Sequence, residues 1–292
     1  MNESVALPLL AGGWLNAALL RLKHNRSARL ALVLLAVLAL LALLGPLLSP
    51  WSFDSLDWQH LAQPPGAPGG HWLGTDRLGR DLLVRTLYGL RLSLLISLLA
   101  SAVSLAIGVS WGAVAGFAGG RLDEWMMRFV DVLYALPYLF VVIILTTLFA
   151  RGSLAVLLLG LGAIGWLTTA RIVRAQTRSL RHREFIDAAR VAGLAPVAIL
   201  RRHILPNVLS PVVVYATLIV PHMILAESFL SFLGLGVQEP HASLGNLVFG
   251  GAQELESAPW MLLVPATVLV LLLLSLNLLG DALRDAFDPR DR

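Results

Sequence analysis

The sequence predicts an all-α membrane protein of six transmembrane helices, with both termini on the cytoplasmic side. Three observations predict it. Of the 292 residues, 57% are hydrophobic and 14% charged, against about 25% charged in a soluble domain, and mean hydropathy is +0.77. The apolar residues gather into six runs close to the roughly 20 residues that a bilayer-spanning helix needs. Lys and Arg then fall unevenly between the segments joining those runs, as they do about a membrane.

Residues 1–29 read as a cytoplasmic N-terminal segment. The first span, 30–49, opens only after Arg29 and exceeds the h-region of about 7–15 residues in a signal peptide, so it reads as an uncleaved anchor. A polar segment, 50–91, follows on the outer side. The second span is 92–118, and a short turn, 119–128, leads to the third, 129–150, which holds Pro137. After Arg151-Gly152-Ser153 comes the fourth, 154–173. A long loop, 174–207, precedes the fifth, 208–233; an outer segment, 234–259, precedes the sixth, 260–279. Residues 92–282 thus form a five-helix core, and 283–292 a cytoplasmic tail.

Seventeen of the 22 basic residues lie on the side of the N-terminus, including Arg21, Lys23, Arg121, Arg190 and Arg290. Five lie opposite: Arg77, Arg80, Arg85, Arg91 and Arg151. That asymmetry orients the chain. It also accounts for the net charge of +4 without nucleic acid as a partner. The absence of Cys excludes disulfides and thiolate metal sites.

In the second span Ala100, Ser104, Gly108, Gly112 and Gly116 recur every fourth residue. That spacing stacks them on one helical face, and small residues let helices approach closely in lipid. A central packing helix is expected.

Energy coupling is not visible in the chain. A phosphate loop needs G-x-x-x-x-G-K-[ST], and the one Lys, Lys23, has no such glycine before it. No nucleophile–base pair suggests a catalytic residue, and the seven His have no metal-ligand spacing, so neither a metal nor a cofactor is expected on this chain. Asp131 and Glu227 are the candidate intramembrane acids. Glu227 reads first as a carboxylic acid satisfied by neighbouring helices, and alternatively as an ion-coupling site.

The 174–207 loop carries the strongest candidate for function. Arg171, Arg174, Arg178 and Arg181 form one helical stripe, suited to lipid headgroups or an acidic partner. A short helix over 184–193 is expected, supported by Arg183–Asp187 and Asp187–Arg190 pairs and stopped at Gly193. Phe185, Ile186, Ala189 and Ala192 give it an apolar edge, fit for a groove on a partner or for the membrane surface. A second short helix, 196–203, is expected to end where Pro206 breaks it.

These residues resemble a family. Asp187-Ala188-Ala189, three residues, Gly193, nine residues and a closing Leu205-Pro206 are similar to the coupling loop E-A-A-x3-G-x9-I-x-L-P of type I ABC importer permeases. Asp187 replaces the Glu and His203 the first Ile of that pattern. The stretch His71-Trp72-Leu73-Gly74-Thr75-Asp76-Arg77-Leu78-Gly79-Arg80-Asp81 resembles the permeases of peptide and nickel importers. So do Glu227 to Gly236, and Gly280 to Asp285 with Asp288-Pro289. The likeness extends from about Arg21 to the end and is greatest to the oligopeptide branch.

The resemblance implies a type I permease fold in the bacterial inner membrane. It implies a homologous B-type permease as heterodimer partner and two cytoplasmic ATPase subunits carrying ATP and Mg. A periplasmic or lipid-anchored peptide-binding protein completes the set. Glu184, Phe185, Asp187, Ala188, Ala189, Gly193 and Pro206 would form the ATPase-coupling loop. Segment 50–91, with four acids and four Arg, is long enough to fold over the outer mouth and is expected to contact the binding protein or partner permease. The alternative is that Leu73-Gly74-Thr75-Asp76 and Gly79-Arg80-Asp81 are internal turns holding the segment together. Dipeptide, murein-peptide, antimicrobial-peptide and nickel import are alternatives within the family. An ion-gradient-driven secondary transporter is the alternative outside it; a membrane-bound enzyme lacks any visible constellation.

Overall fold

The computed structural model describes residues 22, 24–149 and 154–287. The basic residues Arg21, Lys23, Arg151 and Arg290, most of the N-terminal segment, and Asp288-Pro289 lie outside the described residues. Helix α1, Arg26–Leu48, starts where the Asn25 side chain accepts from the Ser27 and Ala28 amides at 2.9 and 3.2 Å, satisfying donors that a first turn leaves open. It buries only Ala28, Ala31, Leu38 and Ala42. Most of its remaining leucines are exposed, as lipid contact requires, while Leu35 packs inward beside Leu38 and Ala42.

Helix α2, Leu82–Ala118, is the axis of the fold. Asp81 caps it by accepting from the Val84 amide at 2.8 Å. Its 37 residues give a length of about 55 Å, against about 30 Å for a hydrocarbon core. The helix therefore begins at Leu82, ten residues before the expected span, and the outer segment proper closes at Asp81. Arg85 and Arg91 ride on this helix. Arg85 is tolerated there because Asp76 and Glu239 lie beside it, at 3.4 and 3.5 Å.

The expected third span is divided. Helix α3, Gly120–Ala135, and helix α4, Tyr138–Leu148, meet at Leu136-Pro137. Leu136 is extended, with ψ 131°, because a following proline disfavours the helical conformation. Neither piece is long enough to cross alone. Among the described residues, five helices have the length and apolarity of a span. They are α1, α2, α5 (Leu154–Leu180), α8 (Leu205–Phe232) and α10 (Trp260–Phe287). Helix α10 outruns its expected end at 279, so part of the expected tail is helical.

Between α5 and α8 lie α6, Glu184–Val191, and α7, Pro196–Ile199. The expected break at Pro206 does not occur. A π turn over Leu200–Ile204 runs directly from α7 into α8. Pro206 falls in the first turn of α8, where the wider preceding turn accommodates a residue with no N–H to give. A further helix, α9 (Leu244–Gln253), was not apparent from the sequence. Ser243 and Asn246 start it with a reciprocal capping box.

Candidate functional site

Helix α6 and its flanks form the candidate docking element. The Arg183 carbonyl accepts from the Ile186 and Asp187 amides at 2.9 and 3.3 Å. Gly193, at φ +77°, ends the helix by donating to the Arg190 carbonyl at 2.9 Å, while the Leu194 amide donates to the Ala189 carbonyl at 3.1 Å. This is a Schellman closure, which needs a residue free to adopt positive φ. Arg190 pairs with Asp187 at 2.8 Å. That bond takes up the Asp187 carboxylate, and Arg183 serves through its carbonyl instead of the expected side-chain pair.

The expected apolar edge is two faces. Ile186 and Ala189 are buried in a cluster with Ala113 of α2, Val173 of α5, and Ile199, Ile204 and Val208. Phe185, Ala188 and Ala192 are exposed, together with Val191 (91% exposed) and Val197 (60%). Glu184 is also exposed, as is Pro206 in the first turn of α8. One face thus roots the element and the other offers an unpartnered apolar surface. The sequence singled out neither Val191 nor Val197, because they lie on either side of the Gly193 turn, which has no periodicity of its own.

Two members of the arginine stripe find acids within the chain. Arg174 makes a two-pronged bond to Asp123 of α3, at 2.5 and 2.7 Å. Arg171 bonds Asp131 at 2.7 Å and lies over the Tyr134 ring at 4.3 Å. Arg181 donates to the Phe117 carbonyl at 3.3 Å. The fixed fork of a guanidinium suits such paired recognition. The stripe therefore locks α5 to the ends of α2 and α3, just beneath the docking element.

Gly108, Gly112 and Gly116 face α5. A Cβ at Gly108 would stand 2.5 Å from Thr169 Cβ, and one at Gly116 would stand 2.7 Å from the Arg174 carbonyl oxygen. Ser104 donates to the Gly162 carbonyl at 3.1 Å. These contacts hold two backbones closer than side chains would allow.

A polar cap covers the other end of α2. Arg80 is buried and bonds Asp76 at 2.6 Å and Glu239 at 2.8 and 3.0 Å. Arg77 pairs with Glu254, and Trp260 donates to the Thr75 carbonyl at 3.3 Å. These bonds tie the 50–81 segment to the segment after α8. The bond from Arg80 holds the Glu239 carboxyl below its ordinary value. Burial opposes the Arg80 charge, but the Glu239 and Asp76 carboxylates outweigh it and raise its pKa. Gly79, at φ +75°, packs its α-carbon against the Asp57 carbonyl, where a Cβ has no room. Nearby, the Asp57 carboxylate bonds His60 Nδ1 at 2.8 Å and lies 3.4 Å from His71 Nε2.

Glu227 is fully buried in a serine pocket between α2, α8 and α9. Ser93 and Ser231 donate to it at 3.0 and 2.8 Å. Ser93 in turn accepts from the Leu244 amide at 3.1 Å. The acid is satisfied by its neighbours and joins three elements. It lies apart from the docking element.

A cleft of about 890 Å³ opens between the α3–α4 break, α5 and α8. Its wall is apolar with polar points at Tyr134, Thr168, Tyr215 and His222.

Comparison with known proteins follows the same division of the chain. A family model described as "binding-protein-dependent transport system inner membrane component" matches residues 108–292. A second, described as the N-terminal TM domain of oligopeptide transport permease C, matches residues 14–65. The oligopeptide transport system permease protein OppC of Haemophilus influenzae is 46% identical over 93% of this chain and 87% of its own length. That of Escherichia coli K12 is 48% identical over 93% and 90%. The dipeptide transport system permease protein DppC of Bacillus subtilis is 44% identical over 99% and 89%.

Proposed function

The chain belongs to the family of binding-protein-dependent transport system inner membrane components, and from that membership we propose that it is a permease subunit of an ATP-driven oligopeptide importer. It is an inner-membrane protein, a subunit of a transport system rather than a catalyst. The observation that carries the reading is 46–48% identity to oligopeptide permeases along 93% of the chain.

In this reading the chain pairs with a homologous B-type permease. Two cytoplasmic ATPase subunits, which bind ATP and Mg, dock on the exposed face of α6 and its equivalent in the partner. A periplasmic or lipid-anchored binding protein delivers peptide to the capped end. The geometry supports a mechanical route. Ile186 and Ala189 root α6 against Val173 of α5 and Ile204 and Val208 at the base of α8. Displacing α6 therefore moves α5 and α8, the helices that wall the cleft through Trp166, Thr168, Tyr215 and His222. We assign that cleft to this chain's share of the translocation path, with its open side toward the partner permease. The helical run from α7 through α8 carries displacement from the loop into the span, with Pro211 and Pro221 as the points where it can bend.

The test is uptake of a labelled tetrapeptide by proteoliposomes holding the full set of subunits. Uptake that requires ATP, the ATPases and the binding protein supports the reading. Accumulation by this chain and its partner without the ATPases contradicts it and favours an ion-gradient carrier. A second reading, dipeptide import, is favoured by the 44% identity over 99% of the chain to a dipeptide permease. Competition separates the two: excess dipeptide suppresses tetrapeptide uptake only if dipeptides are also cargo.

A further inference from the structure

We propose that Asp57, His60 and His71 form a binding site for one divalent transition-metal ion of the zinc class, in the outer polar cap. The ligand atoms are Asp57 Oδ2, His60 Nδ1 and His71 Nε2, all within 4.8 Å of one another. Carboxylate and imidazole ligands of this kind suit zinc, cobalt or nickel.

The separations carry the argument. His71 Nε2 lies 3.4 Å from Asp57 Oδ2, long for a hydrogen bond, for which about 2.7–3.2 Å is usual. Two ligands bonded at about 2.1 Å to a tetrahedral ion stand roughly 3.4 Å apart. His60 Nδ1, at 2.8 Å from the same oxygen, needs to withdraw by only about 0.6 Å to reach that separation from it. His60 is partly exposed, with its side chain at the surface of the cap, so it has room to do so.

The outer shell points the same way. His71 is buried and stacks on Trp51 at a ring distance of 4.3 Å. Its Nδ1 bonds Asp81 Oδ2 at 2.9 Å. A proton held on Nδ1 by Asp81 leaves Nε2 with a lone pair facing the Asp57 carboxylate, so two acceptors confront each other. A cation between them satisfies both. Carboxylate, histidine and metal in that order are the usual way a protein fixes the tautomer of a metal-bound imidazole. The two carboxylates balance the charge of a divalent ion, and the fourth position remains open to water.

The ion would staple the 57–60 turn to His71. Asp81 also caps α2, so the staple continues into the axis of the fold. Arg80, which grips Glu239, lies between.

The test uses the full chain copurified with its partner subunits, stripped with a chelator and titrated with Co²⁺ alone. The expected result is saturation at one Co²⁺ per chain, with the visible absorption of a tetrahedral site, displaced by Zn²⁺. His60→Ala and Asp57→Asn each weaken the affinity by more than about tenfold, and Zn²⁺ raises the melting temperature of the wild type but not of either variant. Absence of saturable uptake overturns the proposal, leaving His71 hydrogen-bonded between Asp81 and Asp57. Uptake unchanged in both variants overturns it equally, since the ion then sits elsewhere.

Discussion

Gly108→Ala tests the packing of α2 on α5, and the structure sets its size. The new Cβ would stand 2.5 Å from Thr169 Cβ and 2.8 Å from the Trp166 carbonyl oxygen, where ordinary contact begins at 3.4 Å. Relief requires the two helices to part by roughly 1 Å, and overpacking of that kind costs about 1–3 kcal/mol. Alanine also gains about 0.5–1 kcal/mol over glycine within a helix, so the substitution needs a control that carries the gain alone. Gly250 in α9 provides it, since nothing lies within 4 Å of a Cβ there. The helical gain cancels between the two variants and leaves the packing term. Thermal unfolding of each, purified in the same detergent, is the assay. Gly250→Ala should melt at or slightly above the wild type. Gly108→Ala should melt several degrees below Gly250→Ala, taking about 2–4 °C per kcal/mol for a chain of this order. Equal melting temperatures would refute the close approach.

Three further outcomes follow from named contacts. Glu227→Gln keeps one acceptor oxygen and presents an NH2 donor where the second oxygen was, which a serine hydroxyl can rotate to accept, and should leave peptide uptake near the wild type. Glu227→Leu strands both hydroxyls at about 1–3 kcal/mol, which a fall in melting temperature would register; loss of uptake in Glu227→Gln with assembly intact would show instead that the acid takes part in transport. The Glu239 carboxyl is held below its ordinary value by Arg80. Its contribution is therefore complete above the unfolded value of 4.5 and lost as pH falls through the lowered folded value. Melting temperature followed from pH 6 down to about pH 3 should fall less steeply in Glu239→Gln than in the wild type. Gly193→Ala forces a side chain to φ +77°, at about 1–2 kcal/mol; ATP-driven uptake should drop while the amount of chain in the membrane does not.

Features set by local spacing were legible in the sequence. The glycine row needs only a period of four, and the apolar runs that became α1, α2, α5, α8 and α10 need only length. The two prolines mark the limit of local reading. Pro137, in a run long enough to be one span, divides it; Pro206, where local pattern predicts a break, lies inside a helix. Proline removes the same N–H at both places. The difference is a π turn ahead of Pro206, whose flanking Ile199 and Ile204 are buried with Ala113 of α2 and Val173 of α5. Contacts across the fold left no pattern to read: Arg80 and Glu239 are 159 residues apart, and Ser93 and Glu227 are 134 apart. The docking loop was recognisable as a motif. Which side of α6 is free depends on the packing of Ile186 and Ala189 against α2, α5 and the base of α8, and only the tertiary structure supplies that.

The most direct test of the account asks what touches the free side of α6. The chain has no Cys, so one introduced by Val191→Cys is unique, and Trp58→Cys in the outer cap serves as its opposite. With a short crosslinker in intact membranes, the account predicts that position 191 joins a nucleotide-hydrolysing subunit and that position 58 does not. Crosslinks from 191 that reach lipid alone, or that reach the same proteins as those from 58, would contradict it.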